Sequence, residues 1–328
     1  MSRFITVNIE DETTPVSQEG FGLGLIVDPE NDFDYVEVRD IDGIPDEASE
    51  LAEDMANQYF SQQPNPGVVA MAGQEPGEED DIGDVLGDIY EENGDWYGLL
   101  LASRNQEEIE QADDWIPADK LFITSPIEDD WDALSEYDLA SDKTGAFPSE
   151  EEQEVDAAIM SRMFATDPGS QTWKWQELSG VRSSGYSSAD VSAMTDPEEG
   201  EPHMNPVIWE MGVDYTADGA NVNGGFLDIQ RAIDWLEARL TENIFQLLVS
   251  QGKVSFTNTG IAQVTSRMRE IFQQAKGRDV LKEYGISAPD REDVPTNDRA
   301  NRVLPDVEFE GIVAGAIHDV EVSGVLQV

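Results

Sequence analysis

The chain opens with a strand-like alternation and continues as strands interleaved with helices. Ile5, Val7 and Ile9 alternate with polar residues, which predicts a strand. Short apolar runs at 23–27 and 96–102 follow, separated by segments with helical spacing. Because strands that alternate with helices build layered sheets, the pattern up to about residue 140 predicts an α/β layer.

The strongest helical pattern lies in the last third of the chain. Between residues 226 and 250, apolar side chains recur every three or four positions. This stripe predicts a helix whose burial is worth roughly 10–20 kcal/mol. Further helices are predicted over 257–277 and over 149–164, the latter opened by Ser149 in capping-box style. The stripe consists of Phe226, Ile229, Ile233, Leu236, Leu240, Ile244 and Leu247.

The segments around these helices are predicted to be extended. A short strand is expected over 254–256, and a connector rich in Pro and Asp over 285–305. Strands over 307–309, 314–318 and 320–325, joined by turns that contain Gly, are expected to close the chain.

Charge limits the partners that the chain can have. Its 328 residues, enough for about two domains, include 70 Asp and Glu against 19 Lys and Arg, for a net charge of −51. Such a charge repels nucleic acid and anionic membranes. Molar salt screens it, since the Debye length there is about 3 Å. The acid excess and the scarcity of Lys predict a halophilic protein; a very acidic protein from an ordinary host is the alternative.

The charge is unevenly distributed along the chain. Residues 231–302 carry 11 basic and 10 acidic side chains, whereas the rest of the chain carries 8 basic and 60 acidic ones. Interface centres are depleted in unpaired charge and tolerate Arg. The near-neutral segment is therefore expected to be buried or to face another protein.

The sequence offers little catalytic or metal-binding chemistry. There is no Cys, and the two histidines, His203 and His318, are far apart in sequence. No apolar run is long enough for a membrane span, and the start lacks the apolar run of a secretory signal. The glycines at 20–25 lack the helix that a dinucleotide site needs, and neither a P-loop nor a GxSxG motif occurs. No cofactor or metal site is therefore predicted.

A few weak candidates have a simpler interpretation. Carboxylate pairs are too frequent to identify a catalytic pair, and an acidic cluster beginning at Asp28 lacks EF-hand spacing. His318 is expected to be a packed strand residue. The Trp173-Lys174-Trp175 triplet is expected to be a core or interface strand.

The chain ends raise a question of sheet pairing. Ordering an arm of ten residues costs about 1–2 kcal/mol per residue in backbone entropy, so an arm needs a sheet to join. Its own sheet and the sheet edge of a neighbouring subunit are both open alternatives.

Several segments of the chain, in a fixed order, form a familiar set. They are SRFITVNIE, EGFGLGLIV, NQYFSQQPNPGVVAMAG, DWYGLLLAS, PGSQTWKWQELSGV, GGFLDIQRAIDWLEARLTENIFQLL, KVSFTNTGIAQV and FEGIVAGAIHDVEVSGVLQV. In this order they resemble the contractile-tail sheath proteins of myovirus-type phages, in the branch known as a putative phage sheath family. With the salt signature, the chain resembles the sheath of a haloarchaeal tailed virus. Acidic loops at 28–50, 75–95 and 129–152 depart from the family pattern, which puts surface details in doubt.

The resemblance implies a domain organisation. It implies an α/β (α+β) fold, with an inner assembly domain built from the N-terminal strand and the C-terminal third of the chain. A peripheral α/β domain is inserted, and both termini extend as β-strand arms. The implied segments are an arm and strand over 1–22, the peripheral domain over 23–204, the inner domain over 205–317 and a second arm over 318–328.

The resemblance also implies a structural, non-enzymatic function. Subunits would stack as hexameric rings around a tail tube, contact baseplate and tail terminator proteins, and contract to drive the tube through the host envelope for genome ejection. They would assemble in the host cytoplasm into the virion tail, without binding nucleic acid or membrane. The alternatives are the sheath of a genome-free contractile injection system and a halophilic carboxylate-dependent hydrolase.

Two groups of residues are expected to make the contacts between proteins. Five cations on and just after the second helix are predicted to face the tube, the alternative being internal pairing with Glu270, Asp279 and Glu283. These cations are Arg267, Arg269, Lys276, Arg278 and Lys282. The arm residues expected to add strands to neighbouring subunits are Phe4, Ile5, Val7, Ile9, Val320, Val322, Val325 and Leu326.

Overall fold

The computed structural model describes residues 20–150 and 153–318, which form two compact units. The larger unit comprises Gly20–Asp234 together with residues 314–318, and the smaller one comprises Trp235–Val313. The predicted domain boundary at 204/205 falls inside the larger unit, and the observed division falls inside the long helix of the last third.

The larger unit is built on a six-stranded sheet in the order β2-β3-β1-β4-β5-β6. All neighbouring strands are parallel except β2, which runs antiparallel to β3. This mixed sheet confirms the predicted α/β class. The strands are β1 (Gly24–Asp28), β2 (Phe33–Val38), β3 (Val69–Gly73), β4 (Gly98–Leu101), β5 (Leu121–Thr124) and β6 (Thr144–Ala146).

Six helices and a hairpin accompany this sheet. The strands β7 (Val207–Glu210) and β8 (Val213–Thr216) form an antiparallel hairpin. Its tight turn at Met211 and Gly212, both with positive φ, reverses the chain. The helices are α1 (Glu50–Ser61), α2 (Ile82–Glu92), α3 (Gln106–Trp115), α4 (Trp131–Leu134), α5 (Val155–Phe164) and α6 (Ser188–Thr195), and Ile41–Gly43 forms a 3-10 turn.

Helices cover both faces of the sheet, as parallel strands require. Leu25, Leu99 and Phe122 point to one face, where they share a core with residues of α2 and α3. On the opposite face α5 lies so close that a Cβ on Gly98 would come 2.4 Å from the Phe164 ring. A larger residue than glycine at position 98 would therefore separate the helix from the sheet.

The predicted start of α5 is wrong. The helix begins at Val155, and its N-cap residue, Glu154, makes no capping hydrogen bond. Ser149 instead forms a parallel bridge with Ile127, and its amide donates to the Pro126 carbonyl. Pairing with a distant segment therefore keeps Ser149 extended, despite the local capping pattern.

The smaller unit contains the end of α7 (Leu227–Ser250), α8 (Asn258–Gly277), β9 (Leu281–Ser287), α9 (Thr296–Asn301) and β10 (Glu308–Val313). Both long helices were predicted from periodicity. The strand expected over 254–256 is a loop, and the connector expected over 285–305 contains the end of β9 and the whole of α9. Pairing of β9 with β10 extends the strand beyond what its local sequence indicates. Residues 314–318, expected to be a strand, belong to no strand.

Candidate assembly surfaces

The antiparallel pair of β9 and β10, joined by a connector that contains α9, has unpaired strand edges. We call this pair the β9–β10 hairpin. The two strands form an antiparallel sheet of their own, and no other strand within the described residues pairs with either outer edge. Phe309 and Ile312 on β10 are about half exposed. A groove of about 600 Å³ is lined by residues 285–287 and 307–310 of the hairpin region. The hairpin therefore offers main-chain donors and acceptors to an added strand.

One aromatic cluster attaches the hairpin to α8. The Phe272 ring is fully buried and stacks on Tyr284 of β9, with ring centroids 5.2 Å apart. It also lies 4.9 Å from the ring of Phe309 on β10. An isolated two-stranded hairpin is marginally stable in water, so this contact supports the hairpin from one face and leaves its edges free.

The five predicted tube-facing cations differ in their contacts within the subunit. Arg267 pairs with Glu270 at 3.0 Å, as the internal-pairing alternative expected. The Arg278 guanidinium lies 5.1 Å above the Trp235 ring, in a cation–π contact. No ion pair in the described part of the chain involves the remaining three. These three exposed cations are Arg269, Lys276 and Lys282.

The long helix is less buried than its stripe predicts. Of the seven stripe residues, only Leu247 is buried, and Phe226 and Ile233 are more than 40% exposed. The estimate of 10–20 kcal/mol is therefore too high. Burial falls instead on Leu227, Ala232 and Trp235, one position away from stripe residues.

An exposed apolar patch at the end of α7 was missed by sequence reasoning. Phe245, Leu248 and Val249 are each more than half exposed. They lie in a stretch without any Asp or Glu, between Glu242 and Glu270. The sequence could have indicated this patch, since so long a stretch without Asp or Glu is exceptional in this chain.

The structure describes the inner end of each predicted arm, at Phe21 and at His318, but not the rest of the arm. We call these two ends the N-terminal and C-terminal roots. All eight arm residues, from Phe4 to Leu326, lie outside residues 20–150 and 153–318. At the N-terminal root, Arg231 of α7 donates to the Phe21 carbonyl at 2.9 Å. At the C-terminal root, His318 Nε2 lies 2.9 Å from Thr172 Oγ1. His318 is packed, as expected, but not in a strand.

Polar residues near the centre of the sheet are used internally. Strand order reverses between β1 and β4, the place where open α/β sheets bind ligands. At the end of β1, the buried Asp28 carboxylate accepts hydrogen bonds from the amides of Glu30 and Ser49 at 3.0 and 2.7 Å. After β4, Arg104 pairs with the fully buried Asp156 through two hydrogen bonds of 2.6 and 3.2 Å. These side chains stabilise loops and helix ends.

Two other weak candidates also have structural roles. Trp173 is fully buried, and Trp175 is 45% exposed with a φ of 68°, so the triplet is a turn and the expected strand is wrong. The Trp173 carbonyl accepts a hydrogen bond from the Thr216 hydroxyl. In residues 20–150 and 153–318, no cluster of His, Asp and Glu is arranged to hold a metal ion. Nor does any helix in these ranges combine the length and apolarity of a membrane span.

Comparison with known proteins identifies the fold. No protein-family model and no curated protein matches the chain. It matches the contracted sheath complex of PVC, an extracellular contractile injection system, with a TM-score of 0.73 and 9% identity over 100% of this chain and 99% of that one. The contracted helical sheath of the anti-feeding prophage (AFP) gives 0.71 and 10%, covering 99% of both chains.

A chain of the six-fold symmetrised AFP baseplate gives a TM-score of 0.70 and 11% identity, with full coverage of both chains. At such low identity the likeness concerns the fold alone. The chain therefore has, over its whole length, the fold found in structures of contractile injection-system sheaths.

Proposed function

We propose that the chain is the structural subunit of a contractile sheath, which polymerises around a tube and contracts to drive it forward. One observation carries the proposal: the smaller unit holds a two-stranded sheet without strand partners at its outer edges among the described residues. A subunit that accepts strands from neighbours needs such edges. The end-to-end likeness to contracted sheath structures supports the same function.

The two arms have the length to complete this sheet. Residues 1–19 and 319–328 supply the two predicted arms, and each segment is longer than a typical strand of about 5–6 residues. Two arms from neighbouring subunits would convert the β9–β10 hairpin into a four-stranded sheet. Three or more strands are needed for independent stability, so the hairpin gains from the arms as much as they gain from it.

Contraction in this proposal requires no bond chemistry. Subunits keep their strand pairing while their other interfaces repack, as in rigid-body transitions between two packed states. The partners would be further copies in hexameric rings, a tube protein, and baseplate and tail terminator proteins. Assembly would take place in the host cytoplasm, without nucleic acid or membrane.

The sequence resemblance favours the tail sheath of a haloarchaeal tailed virus, which would serve genome ejection. The genome-free alternative has support of its own, because the similar structures come from AFP and from the PVC injection system. Purified particles distinguish the two: DNA-filled capsids attached to sheathed tails indicate a virus, and sheathed tubes without capsid or DNA indicate an injection system.

Truncation tests the carrying observation. Deleting residues 1–10 or 319–328 should leave a folded monomer that does not polymerise in molar salt, because each deletion removes one added strand. Circular dichroism checks the fold, and sedimentation with negative-stain electron microscopy checks polymerisation against the full chain. Normal polymer from either truncation would contradict the proposal.

The unpaired cations are candidates for the tube contact. We propose that Arg269, Lys276 and Lys282 meet acidic groups on the tube. The double variant Arg269→Glu/Lys276→Glu should polymerise alone but fail to assemble on the tube. Arg182→Glu, which reverses an exposed cation of the larger unit, is the matched control and should co-assemble normally. Co-assembly of the double variant at the level of this control would exclude the contact.

A further inference from the structure

The N-terminal root of the chain is held by a buried arginine on α7. Arg231 is 1% exposed, and its guanidinium donates to the carbonyls of Phe21 at 2.9 Å and Met163 at 2.8 Å. The same group lies 4.8 Å from the Phe164 ring centroid. Burial lowers the pKa of Arg231. A cation placed in the interior at this cost fixes the main chain at Phe21 by a directional contact.

The C-terminal root is held by groups around the same end of α7. The His318 ring meets the ring of Phe226, the residue before α7, edge-on at a centroid distance of 4.9 Å. Its Nε2 hydrogen-bonds with Thr172 Oγ1 at 2.9 Å, and its Nδ1 lies 3.8 Å from Asp218 Oδ1. His318 is the first residue of the predicted C-terminal arm, so these contacts determine where the arm starts.

Asp218 joins the only two histidines of the chain. Its Oδ2 lies 3.3 Å from His203 Nε2, while Oδ1 faces His318. Burial raises the pKa of Asp218, but the contact with His203, the Gly219 amide and the charge of Lys174 outweigh burial and hold it below its usual value. A carboxylate therefore faces both imidazoles.

We propose that the start of α7, residues 226–231, is a common anchor that fixes where both arms leave the subunit, with Arg231 and His318 as positioning residues. The role in assembly rests on the proposed sheath function. Since Arg231 and Phe226 contact the two roots from one helix end, pulls from neighbours on the two arms would both reach this end of α7.

Backbone NMR order parameters of the full-length monomer test the anchor independently of assembly. His318→Ala and Thr172→Val each remove the hydrogen bond between these two side chains, so each should lower the order parameters over 314–318. Thr172→Ser, which keeps the hydroxyl, should leave them at the values of the natural chain. Unchanged order parameters in both His318→Ala and Thr172→Val would overturn the C-terminal anchor.

A second pair of variants tests whether the anchor is common to both roots. Arg231→Lys keeps the charge but cannot donate to both carbonyls, so it should lower the order parameters over 20–24 and, through the shared helix end, over 314–318. Phe226→Ala should have the reciprocal effect. A decrease confined to one root in both variants would show two separate anchors and overturn the common one.

Polymerisation provides the readout for positioning. His318→Ala should raise the critical concentration for assembly about fivefold, in proportion to the loosened root, while Thr172→Ser leaves it unchanged. A loosened root with an unchanged critical concentration would overturn the positioning role. If the natural chain never polymerises, the sheath proposal fails, and the order parameters of the monomer still decide the anchor.

Discussion

The Phe272 side chain should decide whether the β9–β10 hairpin is available for assembly. Its ring is fully buried and contacts Tyr284 on one strand and Phe309 on the other, with centroids 5.2 and 4.9 Å away. Replacement by alanine removes both ring contacts and leaves a cavity beneath the hairpin. We expect Phe272→Ala to detach the hairpin from α8 and to abolish polymerisation.

The magnitude follows from burial and ring geometry. A buried Phe→Ala substitution costs about 3–5 kcal/mol, and each aromatic pair contributes about 0.5–1.5 kcal/mol of the interaction lost. Natural proteins are stable by only about 5–15 kcal/mol, so the loss is a large fraction of the whole. Phe272→Leu keeps most of the apolar volume and loses the ring contacts, and it should cost about 1–2 kcal/mol.

Three measurements test these effects. Urea unfolding in molar salt gives the loss of stability, amide exchange over 281–287 and 308–313 reports on the hairpin, and sedimentation reports on polymerisation. Phe122→Ala is the matched control, because Phe122 is equally buried but belongs to the sheet of the larger unit. It should lower stability without accelerating exchange in the hairpin.

Two outcomes would refute this reasoning. One is a loss below about 1 kcal/mol in Phe272→Ala with hairpin exchange unchanged, which would mean that the ring cluster does not support the strands. The other is equal loss of polymer in both alanine variants under conditions where both remain folded, which would mean that assembly responds to general destabilisation.

Three further predictions concern charge. Arg104→Met leaves the fully buried Asp156 unpaired and should lower the free energy of unfolding in urea by about 3–5 kcal/mol. Adding Asp156→Leu should restore most of this free energy, and equal stability of the single and double variants would contradict the prediction. With a net charge of −51, the urea midpoint should fall when salt drops from 3 M to 0.1 M, where the Debye length is about 10 Å, and a midpoint independent of salt would argue against a halophilic protein. Folding lowers the pKa of Asp218, so its contribution to stability is present above the unfolded pKa of about 3.9 and is lost as pH falls through the folded pKa. In Asp218→Asn the urea midpoint should therefore depend less on pH between pH 2 and 5. The same pH dependence in the variant and the natural chain would refute this.

Local sequence was sufficient for the two long helices and for most central strands, but not for α6, for α9 or for the start of α5. The two long helices were predicted because their apolar residues repeat at helical spacing. The failures arise where distant segments decide the conformation. Ser149 is held extended by Ile127, and β9 is lengthened by pairing with β10, partners that no local pattern reveals.

The candidate surfaces were predictable only in part, for the same reason. The near-neutral segment 231–302 predicts a buried or contact region, but the sequence could not distinguish Arg267, which pairs with Glu270, from the unpaired Arg269. The meeting of His203 and His318 at Asp218 joins residues more than a hundred positions apart. Such convergence is a property of the fold, and the wide separation of the histidines in sequence concealed it.

Charge and exposure in the smaller unit support the proposal that a partner covers it. In a chain with 70 acidic residues, exposed positions are where acids accumulate, because carboxylates stay solvated in brine. The exposed end of α7 has none, and it displays Phe245, Leu248 and Val249 instead. Unpaired strand edges and unpaired cations occur in the same unit, so three independent features each call for a partner there. Adaptation to brine explains none of these three features. The proposed sheath explains all three, because its subunits would use an apolar contact, added strands and a charged contact.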